Sequence, residues 1–313
     1  MTLTLSREAV PEPPNPLGLA GIEFVEYSTP RPQALGQVLE TLGFRPVARH
    51  RSREVLLYRQ GSMNIVVNGH PPSSAAQGTT DSTQIAAVAL RVRDAAAAWQ
   101  HVVDLGAWPV PVNVQPMELH IPGVHGVGAS RIYFVDRWRD DAPAATAPGA
   151  DPAAAQSPNG GGNGFSIYDV DFVAIPTVQR AVPPSAGLHW FGIVQYVGAG
   201  RSDDWRAFYG SLFGFHTLRE DQRFGILPSG QVLASPCGTF YLQLIEPESG
   251  AAEAQAEEWQ RVALGAPDVA AAVRLMRQRG VAFVDDGNLR PSDKGALTQA
   301  ASGGVVFELV HHE

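Results

Sequence analysis

Strand-like and helix-like segments recur in the same order in the two halves of this chain. A repeat of that kind constrains the fold more than any single motif does. GIEFVEYSTP at 21–30 is dense in β-formers and closes on a turn, so it reads as a strand. Gln33 to Leu42 has apolar residues at 35, 38, 39 and 42, which is helical spacing, and stops at Gly43. GFRPVARHR, EVLLYRQG and NIVVNG then read as strands, followed by QIAAVALRV at 84–92. A helix is predicted from Asp94, its N-cap, to Leu105, with strands at 108–114 and 131–136 after it. The second half starts again with HWFGIVQYVG at 189–198 and a helix over 203–215 ending at Gly214. Strands follow near 216–226, 231–235 and 239–246, then a helix from Asp268 to Arg279, VAFVDD and VVFELVHH. Each half thus contains a βαβββ unit about twice. LGF at 42–44 answers FGF at 213–215, and RVRDAAAAW answers GAPDVAAAV.

At roughly 100–200 residues per domain, 313 residues suit two domains. The expected division is a flexible leader over 1–16, a domain over 17–139, a linker over 140–163 and a domain over 164–313. PEPPNP closes the leader, and the linker is Ala, Pro, Gly and Asn with almost no large apolar residue. A net charge of -8 argues against nucleic acid and against an anionic membrane as partners. The lone cysteine, Cys237, excludes an intrachain disulfide framework. No apolar run reaches the ~18 residues of a spanning helix, and no signal peptide is evident, so a cytoplasmic location is expected. A homo-oligomer stays open.

The residues support a more specific reading. LGLAGIEFVEYSTP, LGFRPVARHRSREVLLYRQGSMNIVVN, VALRVRD, QPMELHIPGVHGVGASRIYFVDR and SIYDVDFV resemble the N-terminal domain of bacterial 4-hydroxyphenylpyruvate dioxygenase. WRAFYGSLFGF, SPCG, LIEP, RVALGAPDV and VVFELV keep that family's order in the second half. The resemblance covers roughly 17–138 and 164–312. It implies an α+β fold of two tandem vicinal oxygen chelate (glyoxalase/dioxygenase-like) domains, each an antiparallel-rich mixed half-barrel pair with helices outside. It also implies non-haem Fe(II), a 2-oxo acid substrate and a role in aromatic amino-acid catabolism. The metal would sit in the second half on two histidines and a glutamate, an arrangement that leaves open positions for substrate and O2.

Of those three ligands the sequence matches one. VVFELV supplies Glu308. Counting back from Trp205 without a gap puts Gly192 at the first histidine position and Phe191 before it. His189 stands an odd number of residues from 192, so strict alternation turns it to the opposite face unless a bulge intervenes. In EEWQRVALGAPDV, Arg261 takes the second histidine position; it has no lone pair for a metal, but can pair with Glu308 or a bound carboxylate. Phe24 and Ala87 occupy the equivalent positions of the first half. Glu308 and His312 share a strand face. Gln243 and Gln299 are further ligand-binding candidates, and Cys237 reads as a packed small residue.

Three readings follow. In the first, the protein has lost its Fe(II) site, needs no cofactor, and binds a small aromatic or keto-acid ligand near Arg261 and Glu308. In the second, it is an active Fe(II) dioxygenase, an oxidoreductase with displaced ligands Glu308, His189 and His312. In the third, it is a structural or interaction protein without chemistry. A pocket holding Arg261 and Glu308 separates the first from the third.

Overall fold

The computed structural model describes residues 14–69, 82–111, 118–138, 166–219, 224–225, 230–247, 256–301 and 303–313. The expected 140–163 linker and residues 1–13 of the leader lie outside this set. The first half runs β1 (Gly21–Ser28), α1 (Pro32–Leu42), β2 (Arg45–His50), β3 (Val55–Gln60), β4 (Met63–Asn68), β5 (Gln84–Arg91), α2 (Ala95–Asp104), β6 (Gly123–His125), β7 (Arg131–Val135), α3 (Tyr168–Asp171) and β8 (Phe172–Ala174). The second runs β9 (His189–Tyr196), α4 (Ser202–Phe213), β10 (His216–Thr217), β11 (Gln231–Ala234), β12 (Tyr241–Ile245), β13 (Glu258–Ala266), α5 (Val269–Gln278), β14 (Gly295–Leu297) and β15 (Phe307–His311).

The repeated landmarks are repeated hydrogen-bond chemistry. Asp94 and Asp268 cap α2 and α5, accepting from the backbone N–H of Ala97 at 2.9 Å and of Ala271 at 2.8 Å. Gly43 and Gly214 end α1 and α4 at φ 103° and 78°, a left-handed turn that a side chain would strain. The phenylalanine after each glycine folds back, Phe44 N–H donating to Leu39 O and Phe215 N–H to Tyr209 O.

The strands form two mixed sheets, ordered β6-β7-β5-β1-β4-β3-β2-β8 and β10-β11-β12-β9-β13-β15-β14. In each, an antiparallel central pair (β1 with β5, β9 with β13) joins two smaller units. This is an α+β fold with a duplicated sheet plan. One face of each sheet and the helices share a continuous core, in which Phe134 meets Phe213 and Tyr27 meets Phe307 across the halves. The opposite faces carry smaller clusters: Phe24, Val47 and Leu57 in the first sheet, Phe191, Ala263 and Val310 in the second. None of the described helices is long and apolar enough to cross a membrane.

Two expectations need correction. The strand expected at 108–114 reduces to one bridge, Pro109 to Val124, within its described part. Pro109 and Pro111 have no N–H to donate to a ladder. VAFVDD likewise keeps only the bridge from Phe283 to Thr298, and β14 takes the ladder position beside β15. Around the expected boundary at 164, β8 pairs with β2, and Ile167, Tyr168 and Val182 pack in the first sheet's cluster.

Candidate functional site

The registers of the two central pairs superimpose. Across β5, β1 places Gly21, Ile22 and Phe24 opposite Arg91, Leu90 and Ala89, skipping Glu23. Across β13, β9 places His189, Trp190 and Gly192 opposite Gly265, Leu264 and Ala263, skipping Phe191. The same β-bulge therefore interrupts both halves. Phe24 and Ala87 are the structural counterparts of Gly192 and Arg261, as the sequence register has them.

The bulge overturns the expected facing of His189. One extra residue in β9 reverses the alternation, and His189, Gly192 and Val194 share a face with Gly265, Ala263 and Arg261. Any Cβ placed on Gly265 would clash with Nε2 of His189, so the ring lies on that face. Ala263 in turn pairs with Glu308, and Tyr241 with Gly192. One sheet face thus presents His189, Gly192, Tyr241, Gln243, Arg261, Glu308 and Val310.

Arg261 and Glu308 are 5% and 3% exposed, and Arg261 Nε donates to Glu308 Oε2 at 3.0 Å. Burial pushes the Glu308 carboxyl above its ordinary range, and the guanidinium pulls back against that. Arg261 Nη2 is buried and meets no hydrogen-bond partner among the described residues. His189 Nδ1 donates to Gly187 O at 3.0 Å, since a carbonyl only accepts. His189 Nε2 and His312 Nδ1 share a hydrogen bond of 2.9 Å. Burial and the neighbouring His189 and His311 hold His312 below the ordinary histidine value. The His312 ring also meets Phe191, which stacks on Tyr241 at 4.8 Å between centroids, with Phe224 against both. The cavity left among these rings, Gln243 and Glu308 is about 20 Å³, room for roughly one water.

The residues at the two expected histidine positions do not fit the ion that the resemblance implies. Arg261 is a cation, and Glu308 already accepts from it. Gly192 offers no donor, and a Cβ there would clash with the Tyr241 carbonyl oxygen. His189 Nε2 is already hydrogen-bonded to His312 Nδ1. Among the described residues no three His, Cys, Asp or Glu converge as a metal site would require.

Gln243 lines the small cavity, but Gln299 does not. Its Nε2 donates to Phe283 O, and it lies in a separate groove beside α1, which corrects its candidacy. Cys237 is half-buried, with Sγ near Ser235 Oγ and Thr239 Oγ1. Sequence reasoning missed the aromatic wall of Phe191, Phe224 and Tyr241. It also missed a buried ion pair in the first half, where Arg91 Nε lies 2.6 Å from Glu23 Oε2. The signal for that pair is a glutamate inside the apolar run GIEFVEYS.

Residues 14–173 match the family model for the N-terminal domain of hydroxyphenylpyruvate dioxygenase. A 4-hydroxyphenylpyruvate dioxygenase from Pseudomonas sp. is 34% identical over 251 residues, 78% of this chain and 63% of that protein. The chain thus spans somewhat under two thirds of that relative. The enzyme of the same name from Pseudomonas aeruginosa is 31% identical, over 86% of this chain and 72% of its own. A solved xylose isomerase-like TIM barrel/4-hydroxyphenylpyruvate dioxygenase fusion protein shares the fold, with a TM-score of 0.68 and 24% identity. That superposition covers 98% of this chain and 51% of the other. With its duplicated βαβββ sheets, the chain belongs to the 4-hydroxyphenylpyruvate dioxygenase family of the vicinal oxygen chelate superfamily.

Proposed function

We propose that this protein is a metal-free member of its family that binds a small aromatic or keto-acid ligand in the second half, with Arg261 holding the ligand's carboxylate. The observation that carries this reading is the Arg261 guanidinium. It is buried, gives Nε to Glu308, and leaves Nη2 without a partner among the described residues. A buried donor left unmade costs about 1–3 kcal/mol, and a carboxylate oxygen would satisfy it. Phe191, Phe224 and Tyr241 supply ring faces for an aromatic body. The cavity of about 20 Å³ is too small for such a ligand, so binding displaces a ring, and Phe224 stands at the cavity wall.

The test is titration calorimetry with 4-hydroxyphenylpyruvate on protein treated with a chelator. Saturable binding is expected, weakened at least tenfold by Arg261→Lys. A second reading, an Fe(II) dioxygenase with displaced ligands, draws support from His189 and His312 lying on the face of Glu308. Homogentisate formation on adding Fe(II), with no binding in its absence, would favour that reading over ours.

A further inference from the structure

A wide cavity lies in the first half. It measures about 470 Å³, within the range of small-molecule sites, and opens on the face of the first sheet that corresponds to the Arg261 face of the second. The bulge at Glu23 marks the correspondence. Val47 and Leu57 form an apolar floor, and Phe172 of β8 stands at the wall.

Its charge is one-sided. Among the described residues, Arg51, Arg59 and Arg180 line it, with one carboxylate, that of Asp169. The chain as a whole carries a net charge of -8, so three arginines around one cavity run against the general composition. Arg59 is also held in place: its Nε donates to Asn64 Oδ1 at 2.8 Å, and its Cζ sits 5.7 Å from the centroid of the Tyr168 ring. A guanidinium held by a hydrogen bond and set against a ring loses little freedom when it engages a ligand. Asp169 Oδ2 accepts from the Ser166 N–H at 2.9 Å. Deeper in the sheet, Glu23 pairs with Arg91 and also feels the charge of Arg59, which leaves Arg51 and Arg180 at the opening.

The geometry points to a second ligand site, in the first half, for a small organic carboxylate: the apolar floor takes the body and the arginines take the carboxylate. This site is independent of the reading of Arg261, and either can fail alone. Titration calorimetry with phthalate, benzoate, neutral benzamide and inorganic phosphate tests it on the full chain. Phthalate and benzoate should bind saturably and weaken with added salt, and benzamide should not bind. Arg51→Ser and Arg180→Ser alter exposed side chains and leave the fold intact; together they should weaken phthalate at least tenfold. Arg59→Met should do the same. The proposal is overturned if no carboxylate binds, if phosphate binds as tightly as phthalate, or if phthalate binding survives the Arg51→Ser/Arg180→Ser change.

Discussion

The imidazole of His189 lies over Gly265, in the space that any side chain at 265 would need. The two residues are cross-strand partners only because Phe191 bulges out of β9. Gly265→Ala must push the ring away and break its 2.9 Å bond to His312. Overpacking of this kind costs about 1–3 kcal/mol. Chemical denaturation of Gly265→Ala, His189→Ala and the double variant should show the cost of Gly265→Ala falling sharply once His189 is gone. An equal cost in both backgrounds would mean that the ring is not what occupies the space.

Removing the Arg261 guanidinium leaves Glu308 buried and unpaired. Arg261→Met should therefore cost about 3–5 kcal/mol at neutral pH. The sign of the pH dependence follows from the carboxyl, whose folded value already lies above its ordinary 4.5. A carboxyl with a raised folded value binds more protons in the native state than in the unfolded chain. Stability then falls as pH rises from 4.5 through the folded value. Without Arg261 that value rises further, so the variant's deficit should shrink on acidification. Arg261→Met combined with Glu308→Gln should lose less than Arg261→Met alone. Urea titrations at several pH values read both effects.

What was legible in the sequence is what local chemistry writes there. Asp94 and Asp268 cap helices through their own side chains, and Gly43 and Gly214 supply a backbone shape, so both pairs announce themselves. Arg261 could be placed because no insertion separates it from Asp268, the next landmark. His189 was misplaced because a bulge adds a residue without leaving a signature: Phe191 reads as one more apolar residue of a strand. The aromatic wall escaped because Phe224, Tyr241 and Phe191 are far apart in sequence and meet only once the sheet closes. Gln299 failed for a related reason, since the short strand β14 places it toward α1 rather than toward Glu308.

His312 provides a separate pH signal. Burial and neighbouring histidines lower it from 6.5, so below that value the unfolded chain takes up protons more readily than the native state does. Stability should fall as pH drops through this window. His312→Gln, which takes no charge, should flatten the melting temperature between neutral pH and about pH 5. A profile that matches the parent protein would assign the acid sensitivity elsewhere.

Restoring histidines at both expected ligand positions should not create a metal site here. Arg261→His removes the partner of Glu308 and supplies one imidazole. Gly192→His adds a Cβ where the Tyr241 carbonyl oxygen already lies, so β9 and β12 must part or the ring must turn away. Breaking a central strand pairing forfeits ladder hydrogen bonds that no water can replace in the interior. Gly192→Ala alone should therefore lower the melting temperature measurably, whereas the same change at Gly238, where a Cβ meets nothing within 4 Å, tests only the strain of its φ of 71°. The Gly192→His/Arg261→His variant should bind no stoichiometric Co(II) by its visible spectrum. A tightly bound, spectroscopically ordered Co(II) in that variant would show that the strand pair yields easily and that two substitutions suffice to rebuild the site.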